Sequence, residues 1–118
     1  MSVKNYVSAK IHGIRVTDKH LRHTGSQTLP MSLLEAAGIE PYEQVHVVNM
    51  NNGERWITYA LPGNEGECIL NGAAARKGEV GDELIIIVYQ QAEKFPGARA
   101  VFCNPDNTML EVKPYACS

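Results

Sequence analysis

Several things this chain lacks narrow what it can be. It has no long apolar run: Leu84-Ile85-Ile86-Ile87-Val88 falls far short of the about 20 residues needed to span a bilayer. It has no basic excess, with 11 Lys and Arg against 13 Asp and Glu and a formal charge of −2, so the electrostatic footprint of a nucleic-acid binder is missing. Aromatic residues make up only 7%, too few for base-stacking platforms. Cysteine is scarce, and Cys68, Cys103 and Cys117 form no CxxC pair, which argues against a disulfide framework and a zinc site. His12, His20, His23 and His46 show no HxH or HxxxH spacing, so no metal is expected. Met1 to Asn5 lead into no apolar signal core, and with reduced thiols this predicts a cytoplasmic protein. No GxSxG elbow and no phosphate loop occur.

What is present is a single domain's worth of short strands. Tyr6–Thr17 reads as a strand bent at Gly13, and Glu43–Met50 and Glu54–Leu61 as strands joined by Asn51-Asn52-Gly53 in a type I′ hairpin. Leu29–Gly38 reads as a helix, with Pro30 in its first turn, Leu33, Leu34 and Ala37 on one face, and Gly38 as its cap. Cys68–Asn71 is a short strand and Gly72–Lys77 a turn. Glu83–Tyr89 is a buried strand, Gln90–Gly97 is irregular, and Arg99–Cys103 and Met109–Lys113 form a last hairpin. Regularly spaced short strands with a minor helix point to a β-barrel or sandwich.

Alternation sets Lys10 with His12 on one strand face. It sets Arg55, Ile57 and Tyr59 on one face of another strand, with Trp56 and Thr58 on its reverse. Such polar faces are most often simply solvated. The dipeptide Gly25-Ser26, alone an ordinary surface turn, gives them a chemical reading. A serine hydroxyl can attack the preceding carbonyl and move the acyl group from nitrogen to oxygen. The attacked carbonyl must adopt a backbone geometry that glycine tolerates. The oxyanion needs a donor, a role open to the Thr58 hydroxyl. β-Elimination of the ester then cuts the chain and leaves dehydroalanine, which hydrolyses to a pyruvoyl group.

Lys10-Ile11-His12, Val16-Thr17, Gly25-Ser26, Glu35-Ala36-Ala37-Gly38-Ile39, Asn52-Gly53-Glu54-Arg55, Thr58-Tyr59-Ala60, Asn71-Gly72-Ala73-Ala74-Ala75 and Val80-Gly81-Asp82 follow in that order. From about residue 7 to residue 90 the chain resembles the pyruvoyl-dependent aspartate 1-decarboxylase family. The resemblance implies a six-stranded double-psi β-barrel with one or two short helices. Residues 1–118 would form one domain that assembles as a homotetramer with sites between neighbouring subunits. It implies self-cleavage into residues 1–25 and 26–118, the second opening with a pyruvoyl group derived from Ser26, with no metal. A maturation helper protein is a further partner that it leaves open.

In that pattern Gly25 is the cleavage site and Ser26 the pyruvoyl precursor, which takes the substrate amine as a Schiff base. Thr58 assists processing and touches substrate, and Tyr59 is the proton donor. Lys10, His12, Arg55, Asn71, Gly72, Ala73 and Ala74 form the rest of the substrate site. The implied reaction converts L-aspartate to β-alanine and carbon dioxide for pantothenate and coenzyme A biosynthesis. Arg55 as a fork and Lys10 as a point charge suit its two carboxylates. One position departs: the family pattern has tyrosine two residues before the cleavage glycine, where this chain has His23. Two further readings stay open, a paralogous pyruvoyl decarboxylase for another small amino acid and a non-catalytic oligomeric β-barrel binding module.

Overall fold

Period-two burial builds most of the structure, a computed structural model that describes residues 2–115. Strand β1 (Lys4–Arg15) buries Ala9 and Ile11 and turns Lys10 and His12 to its half-buried other face. After β2 (Asp18–His20) and β3 (Ser26–Pro30) comes the helix α1 (Met31–Ala37). Strand β4 (Gln44–Asn49) buries Val45, Val47 and Asn49, and β5 (Arg55–Gly63) follows it as an antiparallel neighbour. Then come β6 (Ile69–Asn71), a 3-10 helix (Gly72–Arg76), β7 (Glu83–Ala92), β8 (Ala98–Cys103) and β9 (Met109–Tyr115). The core gathers Ile11, Ile14, Leu29, Leu33, Leu34, Val45, Val47, Leu70, Leu84 and Ile86, all without solvent exposure.

The class is mainly β, as the strand pattern predicts, but the described residues form nine strands where six were expected. They run in one hydrogen-bonded order, β2-β6-β3-β5-β4-β7-β1-β8-β9. Most pairs are antiparallel, while β1–β8, β2–β6 and β3–β5 are parallel. β1 is an interior strand, bonded to β7 along nearly its whole length and to β8 on its other side. Its register slips between His12 and Ile14, where Gly13 (φ 88°) makes the expected bend. Among the described residues no helix is long and apolar enough to cross a membrane. Met1, Cys117 and the last residues of the expected 26–118 fragment, 116–118, lie outside the described residues.

Three local expectations change. The helix starts at Met31 rather than Leu29, because Leu29 and Pro30 pair with Pro62 and Gly63 in β3, and Pro30 has an extended ψ of 132°. Its end is as expected: Gly38 is left-handed (φ 75°) and Ile39 N–H donates to the Leu34 carbonyl. The β4–β5 turn is not type I′, which needs two successive residues at positive φ. Gly53 has that conformation and Asn52 does not. The loop is longer, and its asparagines hold it: Asn51 N–H donates to Asn49 Oδ1 and Glu54 N–H to Asn52 Oδ1, each at 2.9 Å. The strand β7 also continues to Ala92, into the segment read as irregular.

Asn49 ties this turn to the next loop. Its Nδ2 donates to Asp82 Oδ2 (2.9 Å) and to the Lys77 carbonyl (3.1 Å), and Glu79 N–H donates to Asp82 Oδ2 (2.9 Å). These bonds, the one from Asn49 first, hold the Asp82 carboxyl below the usual aspartate range. A lowered folded-state value contributes stability in full above the unfolded value, and that contribution is lost as pH falls through the folded one. Asp82→Ala is therefore expected to lower stability by about 1 kcal/mol at pH 7. It should also flatten the loss of stability below about pH 4. Urea melts across pH measure both, and an unchanged acid limb would contradict the assignment.

Candidate active site

The site grows from the start of β3, which lies between β5 and β6. Ser26 pairs with Asn71 of β6, and Gln27 with Ala60 of β5 and Leu70 of β6. Gly25 (φ 114°) and Ser26 (φ 109°) both hold positive φ. For glycine this is easy. For serine it is a sparsely populated conformation that costs about 1–3 kcal/mol and persists only where the surroundings enforce it. Ser26 is 2% exposed. The Asn71 Nδ2 group donates to Thr28 Oγ1 (2.9 Å) and approaches Ser26 Oγ at 3.4 Å.

The segment after β6 packs closely against Gly25. Gly72 (φ 69°) lies so close that a Cβ there would come within 2.8 Å of Gly25 Cα and 3.1 Å of its nitrogen. The same Cβ would lie 3.2 Å from the His23 carbonyl oxygen. Only glycine fits this contact. Beside it opens a cavity of about 220 Å³. Gly25, Ser26, Thr58, Asn71, Ala73 and Ala74 line it together, six expected site residues from three separate stretches of chain.

Three further lining residues, Trp56, Ile57 and Lys77, were missed from the sequence. Trp56 could have been found, since alternation sets it on the face of Thr58. Its Nε1 is buried and has no hydrogen-bond partner among the described residues. Lys77 carried no signal, because only the 3-10 turn brings it to the cavity.

The remaining expected residues are not gathered around Ser26 in this chain. Arg55 lines a neighbouring cavity with His46 and Val48, which shares Trp56 and Ile57 as its wall. Tyr59, 37% exposed, does not line the Ser26 cavity. Lys10 and His12 lie on β1, separated from β5 by β7 and β4. Three strand spacings make that about 14 Å. The His12 ring packs against Phe102 (centroids 5.4 Å apart). His23 is exposed and lines a different cleft with His20, Leu21 and Arg22, so only its backbone reaches the Gly72 contact.

Other nucleophiles offer less. Burial pushes the Cys68 thiol far up and the Cys103 thiol up to about 11, so both stay protonated at neutral pH. No cluster of three or more metal-ligating side chains occurs among the described residues. Among the described residues, the nucleophile set in a strained backbone beside a cavity is Ser26.

Comparison with known proteins gives the relatives of this chain. The family model described as aspartate decarboxylase matches residues 1–110. The chain is similar to the aspartate 1-decarboxylase of Acaryochloris marina, 45% identical over 117 residues, covering 94% of this chain and 89% of that protein. Its counterpart from Desulfotalea psychrophila is 45% identical over 114 residues, covering 90% and 94%. That of Pyrobaculum islandicum is 54% identical over 82 residues, covering 70% and 68%.

Proposed function

This chain belongs to the aspartate decarboxylase family, and from that premise we propose that it cuts itself between Gly25 and Ser26 and then converts L-aspartate to β-alanine and carbon dioxide. The observation that carries the reading is the pair of successive positive φ angles at Gly25 and Ser26, packed closely by Gly72 and set against a cavity.

In the cut, Ser26 Oγ adds to the Gly25 carbonyl carbon as its proton leaves. The C–N bond breaks as the Ser26 nitrogen takes up a proton. Loss of the Ser26 Cα proton then breaks Cβ–Oγ, which leaves Oγ on the new Gly25 carboxylate and dehydroalanine at position 26. Water adds there and ammonia leaves, giving a pyruvoyl ketone. Thr58, on the cavity wall, is the candidate donor to the oxyanion of the first step. Asn71 Nδ2 holds the attacking oxygen in place.

The residues present fit such a group: a buried serine beside a cavity, and a wall with no acidic side chain to repel a carboxylate. The pyruvoyl group supplies a ketone for the substrate amine and a sink for the electron pair left at Cα. Arg55 and Lys10 hold carboxylates, and His12 lies on the same face as Lys10. Ala73 and Ala74 are small enough for backbone N–H groups to approach the ligand, and Tyr59 delivers the proton to Cα.

Lys10 and His12 lie on β1 and do not line the Ser26 cavity of their own chain. This supports a site completed by a neighbouring copy in a homotetramer. Ile57 (59% exposed) and Tyr89 (41%) leave apolar surface for such an assembly. The three parallel pairs within an otherwise antiparallel sheet support a double-psi barrel as its inner architecture.

Denaturing mass spectrometry of the purified protein is expected to give two fragments split at Gly25/Ser26, and borohydride to trap aspartate on the larger. Intact chain alone, even after addition of cell extract to supply a helper protein, would favour the non-catalytic module. Trapping of a neutral amino acid but not aspartate would instead favour the paralogous decarboxylase, to which the His23 departure points.

A further inference from the structure

We propose that Lys77 is a specificity-determining residue, whose ammonium leaves Glu54 to hold the substrate carboxylate that is retained in the product. The inference deepens the aspartate reading above and rests on it. Of the residues lining the Ser26 cavity, Lys77 carries the cationic side chain, and none is acidic. A ligand carboxylate entering beside Ser26 therefore meets this cation on the same subunit.

The root of the side chain is fixed. Lys77 N–H donates to the Ala74 carbonyl at 2.9 Å. Its own carbonyl accepts from Asn49 Nδ2 (3.1 Å) and Asn52 Nδ2 (3.0 Å). From that anchored point a flexible stem carries a compact charge. Nζ lies 3.3 Å from Glu54 Oε1, in a pair whose side chains are 41% and 52% exposed. Exposed pairs of this kind are worth at most about 1 kcal/mol. A carboxylate held in a partly enclosed cavity, where the dielectric is lower, competes well for the same ammonium.

Chemistry decides which carboxylate. A cation on the departing carboxylate would stabilise the ground state and lose its partner as charge moves to Cα, slowing the step. A cation on the retained side-chain carboxylate is neutral to that step and improves binding throughout. The expected signature is therefore in KM.

Lys77→Met, checked by mass spectrometry to be cleaved, is expected to raise KM for aspartate about tenfold with kcat within about twofold, the loss of one charge-assisted hydrogen bond. The Ki of the unreactive dicarboxylate succinate should rise in parallel while that of butyrate stays put, and Lys77→Arg should restore most of both. Glu54→Gln, which removes the competing carboxylate, should lower the succinate Ki about two- to threefold. That variant also decides the matter if Lys77→Met fails to mature. Unchanged KM and Ki in an otherwise active enzyme overturn the role of Lys77 alone. A cleaved native protein that turns over no aspartate overturns the reading beneath it as well.

Discussion

Ser26→Ala is expected to remain one intact chain and to release no measurable carbon dioxide from aspartate. Alanine offers no oxygen to attack the Gly25 carbonyl, so the acyl shift has no first step and no ketone forms. The fold should survive, because the lost oxygen takes part only in the 3.4 Å contact from Asn71, whose amide keeps its 2.9 Å bond to Thr28. Alanine at φ 109° carries about the same backbone strain as serine. Denaturing mass spectrometry, a carbon dioxide release assay and a thermal melt test the three parts of this outcome. Two fragments, or aspartate turnover by the variant, would mean that position 26 is not the origin of the reactive group.

Gly72→Ala is expected to be the most damaging single-methyl change near the site. Its new Cβ meets backbone at 2.8, 3.1 and 3.2 Å, none of it able to swing aside as a side-chain tip would. A left-handed conformation adds about 1–2 kcal/mol for a residue with a Cβ, and overpacking adds about 1–3 kcal/mol. A stability loss of about 3 kcal/mol follows, best measured by urea unfolding in the Ser26→Ala background, where both chains compared are uncut. In the otherwise native chain, the methyl pushes on Gly25 itself and should slow cleavage at least tenfold, a barrier increase of about 1.4 kcal/mol. An alanine variant cut at the native rate and equally stable would show that the tight contact does not shape the bond.

Much of the fold could be read from alternation. Val45 and Val47 inside with His46 outside, or Ala9 and Ile11 inside with Lys10 outside, follow from a period of two and a half-buried sheet. What escaped was decided by partners distant in sequence. Leu29 and Pro30 look like a helix start until Pro62 and Gly63 claim them for a strand. Asn52-Gly53 looks like a two-residue turn until the Asn49 and Asn52 side chains satisfy a longer one. The site divides in the same way. Ser26, Thr58 and Asn71 meet because β3 lies between β5 and β6, a non-local pairing that no window of sequence reveals. Their resemblance to a family pattern found them, whereas Lys77, brought in by a turn, was found only in three dimensions.

The interior position of β1 bears on the order of events in the proposed self-cleavage. The strand belongs to the segment before the proposed cut, yet both of its hydrogen-bonding edges are held by β7 and β8, from the segment after it. A nick at residue 25 thus releases nothing, and the two pieces stay interlocked like a key left in its lock. Once separated by denaturant, however, they would have to find each other again, and folding would change from a unimolecular event to a concentration-dependent encounter. On the proposed self-cleavage, folding would precede scission, since the positive φ angles at Gly25 and Ser26 belong to the finished fold.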